Sequence, residues 1–261
     1  KLMQNMYDER VISKKEMLKC KQRKIDGDGD PIELDKKIAQ LHNKQMAAKI
    51  LLNSAYGALG NQYFRYFDIR QAESITLSGQ LSIRWIEKRV NEYINKILGN
   101  EDEKEYVIAS DTDSIYVVFG DLVHKVFGEK ISRPESEGGV STDTIVSFLD
   151  RVAQDKLEPF IDKAYQDLAS YMNSYDQKMV MAREVIASKG LWTAKKRYIL
   201  NVHDNEGVRY KTPELKIMGI EAVRSSTPAA CRDKLRESFK VIMKGDNKEL
   251  IRYIESFRKE F

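Results

Sequence analysis

The chain has little cysteine and little histidine: two cysteines, Cys20 and Cys231, and three histidines in 261 residues. No CxxC pair or Cys/His cluster occurs, which argues against a thiolate metal centre, and two distant cysteines make no disulfide framework. Two free thiols suit a reducing cytoplasm. No run of about 18 apolar residues is present, so no transmembrane helix is expected. Lys1-Leu2-Met3-Gln4 has neither an initiator Met nor an apolar signal core behind it. The expectation is a piece of a longer protein. An excess of one charge is also lacking, since 44 basic residues face 40 acidic ones, a net +4. Bulk charge therefore does not point to nucleic acid, and only clustering of the cations could. What is there is 42% hydrophobic and 32% charged, a globular composition with room for one large domain or two small ones.

Helix formers run from Met3 to Lys24 and again from Ile32 to Leu52. Ile25 to Pro31 reads as the turn of a helical hairpin. The spaced acids of that turn make a poor calcium loop, because Pro31 stands where glycine is needed and Lys37 where glutamate is needed. Asn53 to Gly60 is rich in small residues and is expected to interrupt the helix. Arg70 to Leu98 is helical again, with an apolar face from Ile75 through Leu77, Leu81, Ile83, Trp85, Ile86 and Val90 to Ile94. Tyr106–Ala109 and Ser114–Phe119 predict a β-hairpin with Asp111-Thr112-Asp113 at its tip. A Gly/Ser-rich loop over 128–142 and a helix over 144–172 follow. Strands are expected at Val180–Ile186, Arg197–Val202 and Arg209–Thr212. Thr227-Pro228 predicts a helix start, Gly245 its stop, and another helix begins near Lys248.

Four clusters could carry chemistry. Asp111 and Asp113 repel each other unless a cation neutralises them, and magnesium takes one or two carboxylates plus substrate phosphates. The same residues could form an ordinary solvated acidic turn. Lys49 and Asn53 share a helical face, with the Tyr56 ring and Gly57 just beyond. A surface lysine and a core tyrosine at a helix end is the alternative. Arg10 and Lys14, also four apart, would suit a polyphosphate, or simply mark a solvated face. Lys195-Lys196-Arg197-Tyr198 after Trp192 could hold a nucleic-acid backbone, or form a basic edge strand.

In this order, these motifs resemble those of family B DNA polymerases, more particularly the replicative polymerases of T-even-type bacteriophages. "KILLNSAYGALG" (Lys49–Gly60) is similar to the fingers motif B, and "SDTDSIYV" (Ser110–Val117) to motif C of the palm. "KKRY" (Lys195–Tyr198) is similar to the primer-template motif, and "KIMGIE" with "SSTP" (Lys216–Glu221, Ser225–Pro228) to the passage into the thumb. The resemblance implies an α/β (α+β) fold with an antiparallel palm sheet and packed helices. It implies fingers over 1–60, palm over 61–224 and the start of the thumb over 225–261. Asp113 and Asp111 would be the catalytic metal carboxylates, with Glu184 of "MARE" as a further palm acid and two Mg2+ ions in the complete site. Arg10, Lys14, Lys49 and Asn53 would hold a deoxynucleoside triphosphate, with Tyr56 and Gly57 at the nascent base pair. Lys195, Lys196, Arg197, Tyr198 and Arg224 would meet primer-template DNA. The location implied is the cytoplasm of an infected bacterium, with a sliding clamp as a further partner of the full protein and no membrane.

Two departures from the family pattern stand out. No motif A aspartate in a setting like "DxxSLYPS" occurs; it and the 3′–5′ exonuclease are expected upstream of Lys1. Ala182 also stands where the phage relatives carry an aspartate. The isolated chain is thus expected to be inactive. The alternatives are a natural subunit completed by an amino-terminal fragment bearing motif A and exonuclease, or a catalytically silent DNA-binding module.

Overall fold

The structure is a computed structural model that describes residues 2–100, 103–245 and 247–260. It divides into two compact units, 1–183 and 184–261.

The first unit opens with the helical hairpin that the sequence predicts. Helix α1 (Leu2–Asp26) and helix α2 (Pro31–Leu59) pack side by side. The Asp30 carboxylate caps α2 by accepting from the N–H of Ile32, and Pro31 sits in the first turn, where its missing N–H costs nothing. Ser13, Met17 and Cys20 of α1, spaced by four and three, are buried, as are Leu34 and Gln45 of α2. Lys24–Asp35 and Lys37–Glu16 ion pairs, each 2.6 Å, cross the hairpin.

One expectation fails in this unit. Asn53–Leu59 does not interrupt α2; the helix runs through it and stops at Gly60. An interior glycine costs a helix only about 1 kcal/mol, too little to break a 29-residue element. Helix α3 (Ile69–Leu98) buries only part of its apolar stripe. Ile86, Val90 and Ile94 are in the core, whereas Ile75, Leu77 and Leu81 are exposed.

Strands β1 (Val107–Asp111) and β2 (Ser114–Val117) form the predicted antiparallel hairpin. Helix α4 (Gly120–Phe127), which the sequence reading passed over, follows it. Short 3₁₀ turns at 128–131 and 135–137 interrupt the expected loop. Helix α5 (Thr142–Val152) then runs through a π-turn (Ala153–Leu157) into helix α6 (Glu158–Tyr171). The core of the unit joins Ile86, Val90 and Ile94 of α3, Tyr106 and Val107 at the hairpin root, and Ile161, Ala164 and Tyr165 of α6. Trp85 donates to the Ala164 carbonyl at 2.9 Å, and Tyr93 stacks on Phe160 at 4.1 Å.

The second unit is a three-stranded antiparallel sheet with two helices. Its strands are β3 (Val185–Ala194), β4 (Arg197–Asn205) and β5 (Val208–Met218), in that order. Strand β3 begins later than the expected Val180. The preceding Arg183 gives its backbone N–H to the Glu158 side chain, which takes a donor a ladder would use, and its guanidinium to Asp150. Tight turns join the strands at Lys195-Lys196 and at Glu206-Gly207, the latter with φ of 54° and 85°. Ile199, Ile220, Ala222, Phe239 and Met243 form the core against helix α7 (Ala229–Lys244). Pro228, with extended ψ, is the cap residue itself rather than the first helical residue. Gly245 ends α7 in the left-handed conformation, and helix α8 (Asn247–Glu260) follows. The α+β class is as expected. The strands form two antiparallel sheets among the described residues. No helix among the described residues is long and apolar enough to cross a membrane.

Candidate functional site

The acidic tip stands at the end of β1. Asp111 pairs with Ser114 across the hairpin, leaving Thr112 and Asp113 as a two-residue turn. Thr112 takes a φ of 57°, and the Asp113 N–H donates to the Asp111 carbonyl at 2.7 Å. Ser114 Oγ donates to the same carbonyl at 3.1 Å, and Thr112 Oγ1 to the Asp111 carboxylate at 3.0 Å. The chain reverses between Asp111 and Asp113, so the two acids do not lie along one strand. Asp113 is exposed and Asp111 half-buried. Burial first and the Asp113 charge second push the Tyr165 phenol of α6 above its ordinary pKa. Among the described residues, no group of three or more His, Cys, Asp or Glu is close enough to hold a metal ion.

The cationic residues lie on the hairpin of α1 and α2. Lys49, Asn53 and Tyr56 fall at intervals of four and three, one face of α2, and all three are exposed. Gly57 follows on the same side with open space where a side chain would begin. Arg10 continues the buried seam of α1, three residues before Ser13, and Lys14 is half-buried one turn further on. The cross-hairpin ion pairs set a register that carries Arg10 level with α2 between Asn43 and Lys49. Arg10 Nε is buried there without a hydrogen-bond partner.

In the second unit, the basic motif spans a turn and the entry into the strand that follows it. Lys195 and Lys196 are the exposed tip between β3 and β4, with Lys196 at φ 62°. Arg197 and Tyr198 begin β4 and serve the fold. Tyr198 is buried, with its ring 6.1 Å from Trp192. Arg197 Nη2 donates to both carboxylate oxygens of Glu221 at 2.6 Å. The backbone N–H of Glu221 and then Arg197 hold the Glu221 carboxyl below its ordinary pKa. Gly219, at φ 68°, comes so close to the turn that a Cβ there would stand 2.2 Å from the Lys196 carbonyl oxygen. Arg224 is exposed and donates to the Gly219 carbonyl at 3.4 Å. The "KKRY" and "KIMGIE" segments are thus one structural piece. Sequence reasoning gave no role to Gly219 or Glu221; the opposite charges of Arg197 and Glu221 were the available signal. Glu184 is exposed at the very start of this unit.

Comparison with known proteins agrees with these features. The family described as DNA polymerase family B matches residues 1–128. The chain belongs to the family B DNA polymerases. Within that family it is of the phage type. It is 42% identical to the DNA-directed DNA polymerase of Enterobacteria phage T4 over 239 residues, 88% of this chain and 26% of that protein. It is 47% identical to the corresponding enzyme of Escherichia phage RB69 over 201 residues, 74% of this chain and 21% of that protein. A protein of African swine fever virus named DNA polymerase beta is 26% identical over 233 residues, 86% of this chain and 18% of that protein. The chain spans about a quarter of the length of the phage relatives it matches.

Proposed function

We propose that this chain supplies the fingers, much of the palm and the start of the thumb of a DNA-directed DNA polymerase. Its reaction joins a primer 3′-hydroxyl to the α-phosphate of a deoxynucleoside triphosphate and releases pyrophosphate. The observation that carries the reading is the acidic tip Asp111–Asp113 on a short hairpin backed by the α3–α6 core. Rigid elements hold functional groups more accurately than free loops do.

The donor set suits magnesium, which binds through one or two carboxylates and leaves its other positions to water and phosphate. Asp113 and Asp111 would hold it. When bound, two such ions supply electrostatic stabilisation of the charge that develops in phosphoryl transfer. The chain's own cations do the positioning. Lys49, Arg10 and Lys14 hold the triphosphate, with Asn53 beside them. The unpartnered Nε of Arg10 favours this role, because a buried donor without an acceptor costs about 1–3 kcal/mol that an arriving anion would recover. Tyr56 supplies a flat ring, and Gly57 the open surface, for the nascent base pair. Lys195, Lys196 and Arg224 meet the backbone of primer-template DNA, while Arg197 and Tyr198 shape the turn that presents the lysines. Fingers span 1–60, palm 61–224 and the thumb begins at 225. A segment bearing the family's motif A aspartate completes the metal site, and a sliding clamp would act on the full protein in the cytoplasm of the infected host.

Primer extension tests the reading. The purified chain alone should not extend a primer with Mg2+. Joined to, or mixed with, a phage-type segment bearing motif A, it should do so, and Asp113→Asn should abolish that activity. Extension that survives Asp113→Asn would overturn the assignment of the tip.

A further inference from the structure

The hairpin that carries Asp111 and Asp113 is docked on a helix in the way a strand docks on a strand. Asn91 and Asn95, one turn apart on α3, provide the docking edge. Asn95 Nδ2 donates to the Lys104 carbonyl at 2.8 Å, while its Oδ1 accepts the Lys104 N–H at 3.2 Å. One side chain thus engages both backbone groups of one residue, as a neighbouring strand would. Asn91 Oδ1 accepts two successive N–H groups, from Tyr106 at 2.8 Å and Val107 at 2.9 Å. Around this edge, Asn100 donates to Tyr106 Oη at 2.6 Å, and Tyr106 in turn to Asp121 at 3.1 Å.

Two successive strand N–H groups ordinarily point in opposite directions. Their convergence on one oxygen needs a local kink, and the ladder shows one. The pairing shifts by one residue between Val107 and Ala109. That shift decides the geometry of the tip. Before it, Val107 pairs with Val117; after it, Asp111 pairs with Ser114. Carried forward without the shift, the first register would set Asp111 directly against Asp113, leaving Thr112 alone to turn the chain. Two like charges would then oppose each other across a turn of one residue, which a hairpin does not accommodate. A one-residue change of register also moves the side chains beyond it to the other face.

We propose that Asn91, supported by Asn95, is a positioning residue for the acidic tip. By holding the Tyr106 and Val107 N–H groups, it fixes the bulge that leaves Thr112 and Asp113 as a two-residue turn. This rests on the reading of the tip as a metal-binding element, and the experiment separates the two.

The full chain is titrated with Mn2+, and the broadening of the amide resonances of Asp111–Ser114 gives a midpoint concentration. Asn91→Ala should raise the midpoint about tenfold, the loss typical when a partner behind a metal ligand is removed. Asn91→Asp, which keeps the acceptor oxygen, should stay within about twofold of wild type on the same principle. The amides of Ile86 and Val90 should keep their exchange protection in both. A wild-type midpoint in a folded Asn91→Ala chain, with Asp113→Asn abolishing the broadening, overturns the positioning role and leaves the metal reading intact. Broadening that is absent in the wild type, or indifferent to Asp113→Asn, overturns the metal reading and this inference with it. If Asn91→Ala does not fold, Asn95→Asp is titrated instead. It keeps the acceptor for the Lys104 N–H but loses the donors to the Lys104 and Asn91 carbonyls, and an unchanged midpoint there overturns the proposal.

Discussion

Gly219→Ala should unfold the second unit more readily than any other glycine-to-alanine change tested in its turns. The new Cβ would stand 2.2 Å from the Lys196 carbonyl oxygen and 3.2 Å from Arg197 Cγ. The oxygen belongs to the backbone of a tight turn, so no side-chain rotation relieves the contact. The backbone at Gly219 has φ 68°, where a residue with a Cβ is disfavoured by about 1–2 kcal/mol. Forcing a carbon into packed space adds about 1–3 kcal/mol, for a total of about 2–5 kcal/mol. Gly207→Ala is the control: its φ is 85°, but nothing lies within 4 Å of the added carbon. It should therefore show the conformational part alone, about 1–2 kcal/mol. Urea unfolding measures both. The chain has two tryptophans, and a Trp85→Phe background leaves Trp192 of β3 as the reporter. The clash also displaces Lys196, so if that lysine meets DNA as proposed, the DNA affinity of the folded variant should fall. If Gly219→Ala costs no more than Gly207→Ala, the close packing of the Lys195-Lys196 turn is refuted.

Other consequences can be measured on the same protein. Gly57→Ala should stabilise α2 by about 0.5–1 kcal/mol in thermal unfolding, since it removes an interior helix glycine into open space. The same change should lower nucleotide incorporation by a motif A-completed enzyme if Gly57 lies at the base pair. Asp204→Ala should cost about 2–4 kcal/mol, because this buried carboxylate accepts from the Gly207 N–H and from Arg209 Nε; urea midpoints check it, and a loss under 1 kcal/mol would count against the contact. Burial, and then Arg209, hold the His203 imidazole below its ordinary value of 6.5. The native state thus binds fewer protons than the unfolded chain in that range. Stability from this group is full above pH about 6.5 and lost as pH falls through the lower native value. Unfolding at pH 7.5 and 5.5 should show this loss in the wild type and not in His203→Gln. The carboxylates Glu16 and Asp121, held down by Lys37 and Lys104, change only below their ordinary 4.5 and 3.8, and so do not mask it.

Much of the local architecture was legible from residue order alone. Asp30-Pro31 announces the start of α2, and the two apolar runs around Asp111-Thr112-Asp113 announce the hairpin, because capping, φ restriction and strand propensity act within a few residues. The motif order from Lys49 to Pro228 was enough for the family. The glycine-rich stretch of motif B misled, since a cost of about 1 kcal/mol at Gly57 is small beside cooperative continuation of a long helix. The apolar stripe of α3 shows a different limit. Periodicity says which residues share a face, not how much of that face finds a partner, so Ile75, Leu77 and Leu81 read like Ile86 and Val90 yet stay exposed.

The remainder belongs to contacts between distant segments. That Arg197 pairs with Glu221 depended on a 3₁₀ turn 24 residues away. Whether Gly219 was a convenience or a necessity depended on where Lys196 folded back. The sequence by itself determined the family, the helical hairpin and the acid-tipped turn, because local propensity and motif order suffice for these. Only the tertiary structure decided how that turn is held, since Asn91 grips backbone groups of Tyr106 and Val107 that carry no mark in the residue code.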